Sequence, residues 1–151
     1  MFVPPFKPDR MTWIKPSFLW MMYRCGWATK PGQERVLAVE MTRSGFDWAL
    51  SNSCLSAFDP AEYRDEEDWR RQLAASPVRI QWDPDKDLDL KPQPERAIQI
   101  GLGGEAARRY TREWIVGLTD RTALAHEIHA LVEKGDRAAA RALLPVERDY
   151  S

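Results

Sequence analysis

Apolar residues repeat at helical spacing at Phe18, Met21, Met22 and Cys25, with Trp20 and Tyr23 filling other faces. The spacing predicts a short, largely buried helix. Pro16 suits its first turn, and Gly26 suits the left-handed residue after its end. Lys30-Pro31-Gly32-Gln33 marks a turn, because proline presets φ and glycine accepts positive φ. From Glu34 to Met41, Val36 and Ala38 stand on one face of a strand and Leu37, Val39 and Met41 on the other. Apolar residues on both faces predict a central strand. Thr42 is the expected N-cap of a helix to about Cys54, although Gly45 weakens its first turn.

A second polar-to-apolar rhythm, with Trp69 and Leu73 four apart, predicts a helix over 65–75 whose acidic start suits the helix dipole. Val78, Ile80 and Trp82 alternate with Arg79 and Gln81, as in a half-buried strand. Residues 83–96 are polar and hold Pro84, Pro92 and Pro94, which predicts a surface loop. A strand over 97–102 should follow, then a helix over 105–114 and a short strand over 115–118. Thr122 is the expected cap of a helix to Lys134, and Asp136 of a last helix ended by Pro145. Residues 1–9, with three prolines, should form an extended arm. The order predicts one α+β domain over 1–151: a small mixed sheet flanked by helices, with a helical C-terminus.

Composition narrows the function classes. At 44% hydrophobic and 30% charged residues the chain reads as globular. The longest apolar run, Phe18 to Met22, is far short of a membrane span of about 20 residues. No secretory leader pattern opens the sequence, and Cys25 and Cys54 have neither metal nor redox spacing, so a cytoplasmic location is expected. A net charge of −1 gives no long-range pull on nucleic acid. The charge is uneven, however: residues 1–33 carry five cations against Asp9 alone, and residues 59–70 carry six carboxylates against two arginines.

That basic opening segment holds the main candidate chemistry. Arg10, Lys15 and Arg24 would grip phosphate, Trp13, Tyr23 or Trp27 would stack a ring, and the helix start at Ser17 would offer free N–H groups. The plainer alternative is an aromatic core with cations at its rim. Gly101-Leu102-Gly103-Gly104 has Ala106 where a dinucleotide fingerprint needs glycine, so it reads as a tight turn. His126 and His129 stand three apart, not the four of a zinc helix, and read with Glu133 as a solvated face. The aspartates 83, 85, 87 and 89 imitate a calcium loop but put Leu88 and Pro94 where glycine and glutamate are required. No metal site is therefore expected. Cys25 reads as a structural thiol, and Gln81 and Gln99 as solvent-facing strand residues that would at most be polar contacts.

The runs Phe2-Val3-Pro4-Pro5-Phe6-Lys7, Arg10 through Arg24, and Gly26-Trp27-Ala28-Thr29-Lys30 are distinctive, as are Ser76 through Pro84 and Ile98-Gln99-Ile100-Gly101-Leu102. Together they resemble the domain-of-unknown-function 4291 family over nearly the whole chain, to about residue 133. The family label implies no activity, substrate or cofactor. Its members begin with an upstream segment before an alanine-rich helix, so the resemblance implies that an N-terminal strand and helix are missing. A distant relation to ADP-ribosyltransferase-like domains, carried by no firm motif, would imply NAD bound between small sheets. Three expectations follow. The first is an enzyme domain that binds a nucleotide or other phosphate ligand: an NAD-using transferase or a nucleic-acid-processing enzyme. The second is a non-enzymatic binding module that meets single-stranded nucleic acid or protein through its Trp/Arg-rich surface. In the third, that segment is only core. A sheet edge left by a lost strand would favour a homo-oligomer.

Overall fold

The computed structural model describes residues 11–147. The expected N-terminal arm and Arg10 lie outside the described residues. Strand β1 (Thr12–Ile14) precedes helix α1 (Phe18–Cys25), which Ser17 caps by accepting the Trp20 amide and Gly26 ends in the left-handed conformation. Strand β2 (Leu37–Met41) leads into α2 (Arg43–Ser51), capped by the Thr42 hydroxyl on the Gly45 amide. Strand β3 (Ser53–Leu55) is followed by α3 (Glu66–Ala75), capped by Asp65. The long strands β4 (Val78–Lys86) and β5 (Pro92–Leu102) come next, then α4 (Gly104–Arg109), which continues as a π-helical turn over Tyr110–Trp114. Strand β6 (Ile115–Asp120), α5 (Thr122–Glu133) and α6 (Arg137–Leu143) complete the order.

The architecture is α+β with a mixed sheet and a helical C-terminus, as the pattern predicts. Strands pair in the order β1-β5-β4-β3, and β2 pairs with β6. Strand β1 runs antiparallel to β5, with Trp13 opposite Gly101, and β3 runs parallel to β4, with Cys54 opposite Arg79. Among the described residues, no helix is long and apolar enough to cross a membrane.

The chain groups into two compact units built from interleaved segments, and no single cut separates them. The first draws on the chain to Ile14, Val39–Trp82 and Ile98–Gly117. Its core is Ala49, Val78, Ile100, Leu102, Ala106, Tyr110 and Trp114. The second draws on Lys15–Ala38, Asp83–Ala97 and the chain from Leu118. Its core is Met22, Cys25, Trp27, Ala28, Val36, Leu88, Ala125, Ile128 and Ala140.

Four expectations change. Residues 83–96 are not a surface loop: most of them extend β4 and β5, and the chain turns only at 87–91, where the Asp87 amide donates to the Lys91 carbonyl at 3.0 Å. The three prolines are tolerated because a strand position without a ladder hydrogen bond loses nothing to proline. The helix expected to reach Cys54 ends at Ser51, and Cys54 joins β3. The helix expected to continue to Trp114 changes at Tyr110 to the wider π spacing. Strand β2 is not central: it pairs with β6 in a two-stranded sheet, leaving Leu37 and Val39 exposed.

Candidate functional site

In the second unit, α1 and the segments packed on it gather most of the residues singled out from sequence. Ser17 is buried because its hydroxyl serves twice, accepting the Trp20 amide at 3.2 Å and donating to Asp85 Oδ1 at 2.6 Å. The Phe18 amide donates to Glu147 Oε1 at 2.7 Å. Two of the N–H groups expected to be free at this helix start are engaged, the Phe18 amide by Glu147 and the Trp20 amide by Ser17. The cause is electrostatic, since two carboxylates from distant positions in the chain have settled where helix dipole and orphan donors attract negative charge. Burial raises the Glu147 pKa; the Phe18 amide opposes that shift and the neighbouring Asp85 charge adds to it.

Of the cations, Arg24 lies on α1, Lys15 stands three residues before it and Lys86 ends β4. Lys15 Nζ lies 5.8 Å from the Trp20 ring centroid, and Lys86 Nζ lies 4.0 Å from that of Tyr23. Both are cation–π separations. The Trp20 and Tyr23 rings meet edge to face at 6.0 Å. Arg24 is exposed and engages Gln33. With the Gln33 amide turned to suit both partners, its oxygen accepts from Arg24 Nη1 at 3.2 Å and its nitrogen donates to the Arg24 carbonyl at 3.1 Å. Burial holds the Lys15 pKa below the usual lysine value, and repulsion from Arg24 lowers it further against a small opposing effect of Cys25. Among the described residues, Lys15, Arg24 and Lys86 form no ion pair with a carboxylate. The buried indole N–H of Trp20 has no acceptor among them either.

Two further sequence candidates, Trp13 and Trp27, are taken up by packing. Trp13 belongs to the first unit, where its ring covers Gly101. A Cβ at Gly101 would stand 2.6 Å from Met11 Sδ and 2.9 Å from the Trp13 ring, so that glycine makes room for packing. Trp27 is 5% exposed and stacks on His129, with ring centroids 5.2 Å apart and planes 3° from parallel. Its ring is core and is not presented for stacking a ligand. Tyr23, 46% exposed, is the ring of the group that reaches solvent.

Trp27 lies in an unusual backbone. Gly26, Trp27 and Ala28 all have positive φ, at 60°, 57° and 62°. A left-handed residue with a Cβ costs about 1–2 kcal/mol, so Trp27 and Ala28 are held there by their surroundings. The Trp27 amide donates to the Met22 carbonyl, the Ala28 amide to Cys25 Sγ and the Lys30 amide to the Cys25 carbonyl. His126 Nε2 is 3.3 Å from the Ala28 carbonyl, where its N–H donates. His126 is exposed and His129 half-buried, so the solvated face expected of α5 holds for His126, yet both rings also touch this turn, and His129 meets Glu133 at 3.2 Å. Cys25 is fully buried, as a structural thiol should be.

Sequence reasoning did not find Lys86, Asp85, Gln33 or Glu147 as neighbours of α1. Asp85 and Lys86 fell in the presumed loop, and only the length of β4 brings them to α1. Gln99, expected on a solvent face, is 8% exposed, because β5 lies between β1 and β4. The described residues hold no group of three or more potential metal ligands. The glycine turn before α4 is ordinary, with the Gly103 amide donating to the Pro77 carbonyl at 2.8 Å.

In comparisons with known proteins, the family model described as Domain of unknown function (DUF4291) matches residues 1–150. No curated protein and no solved structure matches the chain.

Proposed function

The chain belongs to the DUF4291 family, and since that membership carries no activity, we propose from the site alone that the protein binds a phosphorylated ligand bearing an aromatic ring, a nucleotide in the first instance. One observation carries this reading. Lys15 lies over Trp20 and Lys86 over Tyr23, Arg24 follows Tyr23 on α1, and none of the three is ion-paired to a carboxylate among the described residues. Like charges gathered without counter-ions raise the free energy of the empty protein, and an entering anion relieves it. Arg24 supplies a guanidinium fork, Lys15 and Lys86 supply point charges, and Tyr23 supplies the accessible ring. NAD and ATP both have this chemistry, and an NAD-using or nucleic-acid-processing enzyme would need it.

The exposure of Tyr23 and Arg24 favours a second reading, a non-enzymatic module that holds single-stranded nucleic acid by stacking and phosphate contacts. Calorimetric titration with NAD, ATP, pyrophosphate and a short single-stranded RNA tests both. Binding of the small ligands that weakens in Lys15→Met and Lys86→Met supports the first reading, and binding of RNA alone supports the second. Absence of heat with all four removes both.

A further inference from the structure

We propose that His126 and His129 are positioning residues for this anion site: by clamping the left-handed turn at 26–28 they fix the end of α1 from which Arg24 projects. The inference rests on the reading of Lys15, Arg24 and Lys86 as the anion site. Arg24 lies two residues before the first left-handed residue, and its partner Gln33 lies five residues after the last. The turn thus sets the separation of the two groups that hold the guanidinium in place. Trp27 and Ala28 do not adopt this backbone by preference. Each is held by one histidine of α5: Trp27 by the His129 ring stacked on it, and Ala28 by His126 Nε2 at its carbonyl.

The placement of the contacts argues for positioning beyond general packing. Trp27 and Ala28 are themselves core, and apolar contacts alone would cover them. The histidines add a plane parallel to the indole within 3° and a directed polar contact, which specify orientation. Strain of this kind collects where a fold must hold side chains in one arrangement. Removing either contact frees the turn to relax toward right-handed backbone, and Arg24 and Gln33 then move independently.

The test is calorimetric titration of the full chain with inorganic pyrophosphate. His126→Ala and His129→Ala should each weaken binding roughly three- to thirtyfold, the range seen for residues that act on a site through another. His126→Gln, which keeps an N–H at the same reach, and His129→Phe, which keeps a flat ring, should restore it. Alanine variants that lose thermal stability but keep wild-type affinity would show the histidines to be structural only and would overturn the proposal. If either alanine variant does not fold, hydrogen exchange at the Ala28 and Thr29 amides of the wild-type protein decides. Saturating pyrophosphate should slow it, and unchanged exchange overturns the clamp. Pyrophosphate binding that is lost in Arg24→Met but insensitive to both histidines leaves the site standing and removes the clamp. If the wild-type protein does not bind pyrophosphate, the reading of the site falls, and the clamp with it.

Discussion

Gly45 offers a sharp test of the packing in the first unit. It lies in the first turn of α2, where alanine in place of glycine should stabilise a helix by about 1 kcal/mol. A Cβ built there, however, stands 2.4 Å from Trp114 Cγ, 2.6 Å from Cδ1 and 2.7 Å from Cδ2. These separations are far inside contact distance, so the indole must move. Trp114 is 5% exposed and tilted against Trp48, with ring centroids 5.5 Å apart, so a shift propagates through the core. Overpacking of this kind costs about 1–3 kcal/mol, and a rigid bicyclic ring puts it at the upper end. Offset by the propensity gain, Gly45→Ala should lose roughly 2 kcal/mol, or about 4–8 °C in Tm for a chain of this size. Urea unfolding followed by circular dichroism measures it. In a Trp114→Ala background the clash is gone, and the same substitution should stabilise by up to about 1 kcal/mol. Wild-type stability in Gly45→Ala, or an equal loss in both backgrounds, would refute the argument.

Three further outcomes follow from the second unit. Because the Lys15 ammonium releases its proton below the usual lysine range, pyrophosphate affinity should fall on the alkaline side earlier than an ordinary lysine would allow; Lys15→Arg should remove that limb in a calorimetric pH series. Glu147 has a raised pKa, so the folded state holds its proton more tightly than the unfolded chain. The stabilisation this gives is complete below the ordinary carboxylate range and is lost as pH rises through the raised value. Wild type should therefore lose stability relative to Glu147→Gln across that window in urea midpoints, and parallel pH profiles would exclude the effect. Ser17→Ala removes both the cap on the Trp20 amide and the bond to Asp85, and should cost about 1–2 kcal/mol in the same unfolding assay.

Helix ends were the most legible feature of the sequence, because a cap is a local event. Thr42 and Asp136, expected as caps, each accept the amide three residues on, and Gly26 takes the left-handed turn. Thr122, also expected as a cap, is instead the first residue of α5, with Arg121 at the cap position, while Ser17 and Asp65 cap helices whose starts were expected one or more residues earlier. Strands were less legible, because pairing depends on partners far along the chain. Residues 12–14 and 53–55 are too short to show a period, and they are strands only because β5 and β4 accept them. The β4–β5 ends read as loop since their polar residues and prolines describe exposure as readily as disorder. The site shows the same division. The cations of α1 could be read from one segment, whereas Lys86 reaches them only through the length of β4. The histidines of α5 read as solvated because the apolar stripe of their own helix excludes them; His126 is indeed exposed and His129 half-buried, but their contacts with the turn were not legible. Trp27 and Ala28 form a second contact that no helical period encodes.

The two ends of the electrostatic problem on α1 are settled differently, and the difference says where an anion would go. At the helix start the dipole already faces Glu147, and Ser17 is committed to Asp85. A ligand phosphate arriving there would displace a carboxylate and gain little. Around Trp20 and Tyr23 the charges are positive, carry no paired carboxylate among the described residues, and include a lysine whose pKa is lowered chiefly by burial and further by Arg24. On the proposed reading, an incoming phosphate would meet attraction there. Binding at this face should weaken steeply with salt, since exposed charges are screened within about 8–10 Å at physiological ionic strength. Binding at the helix start would depend far more on Ser17 than on Lys15 or Lys86. The salt slope and the three substitutions together distinguish the two faces of a single helix.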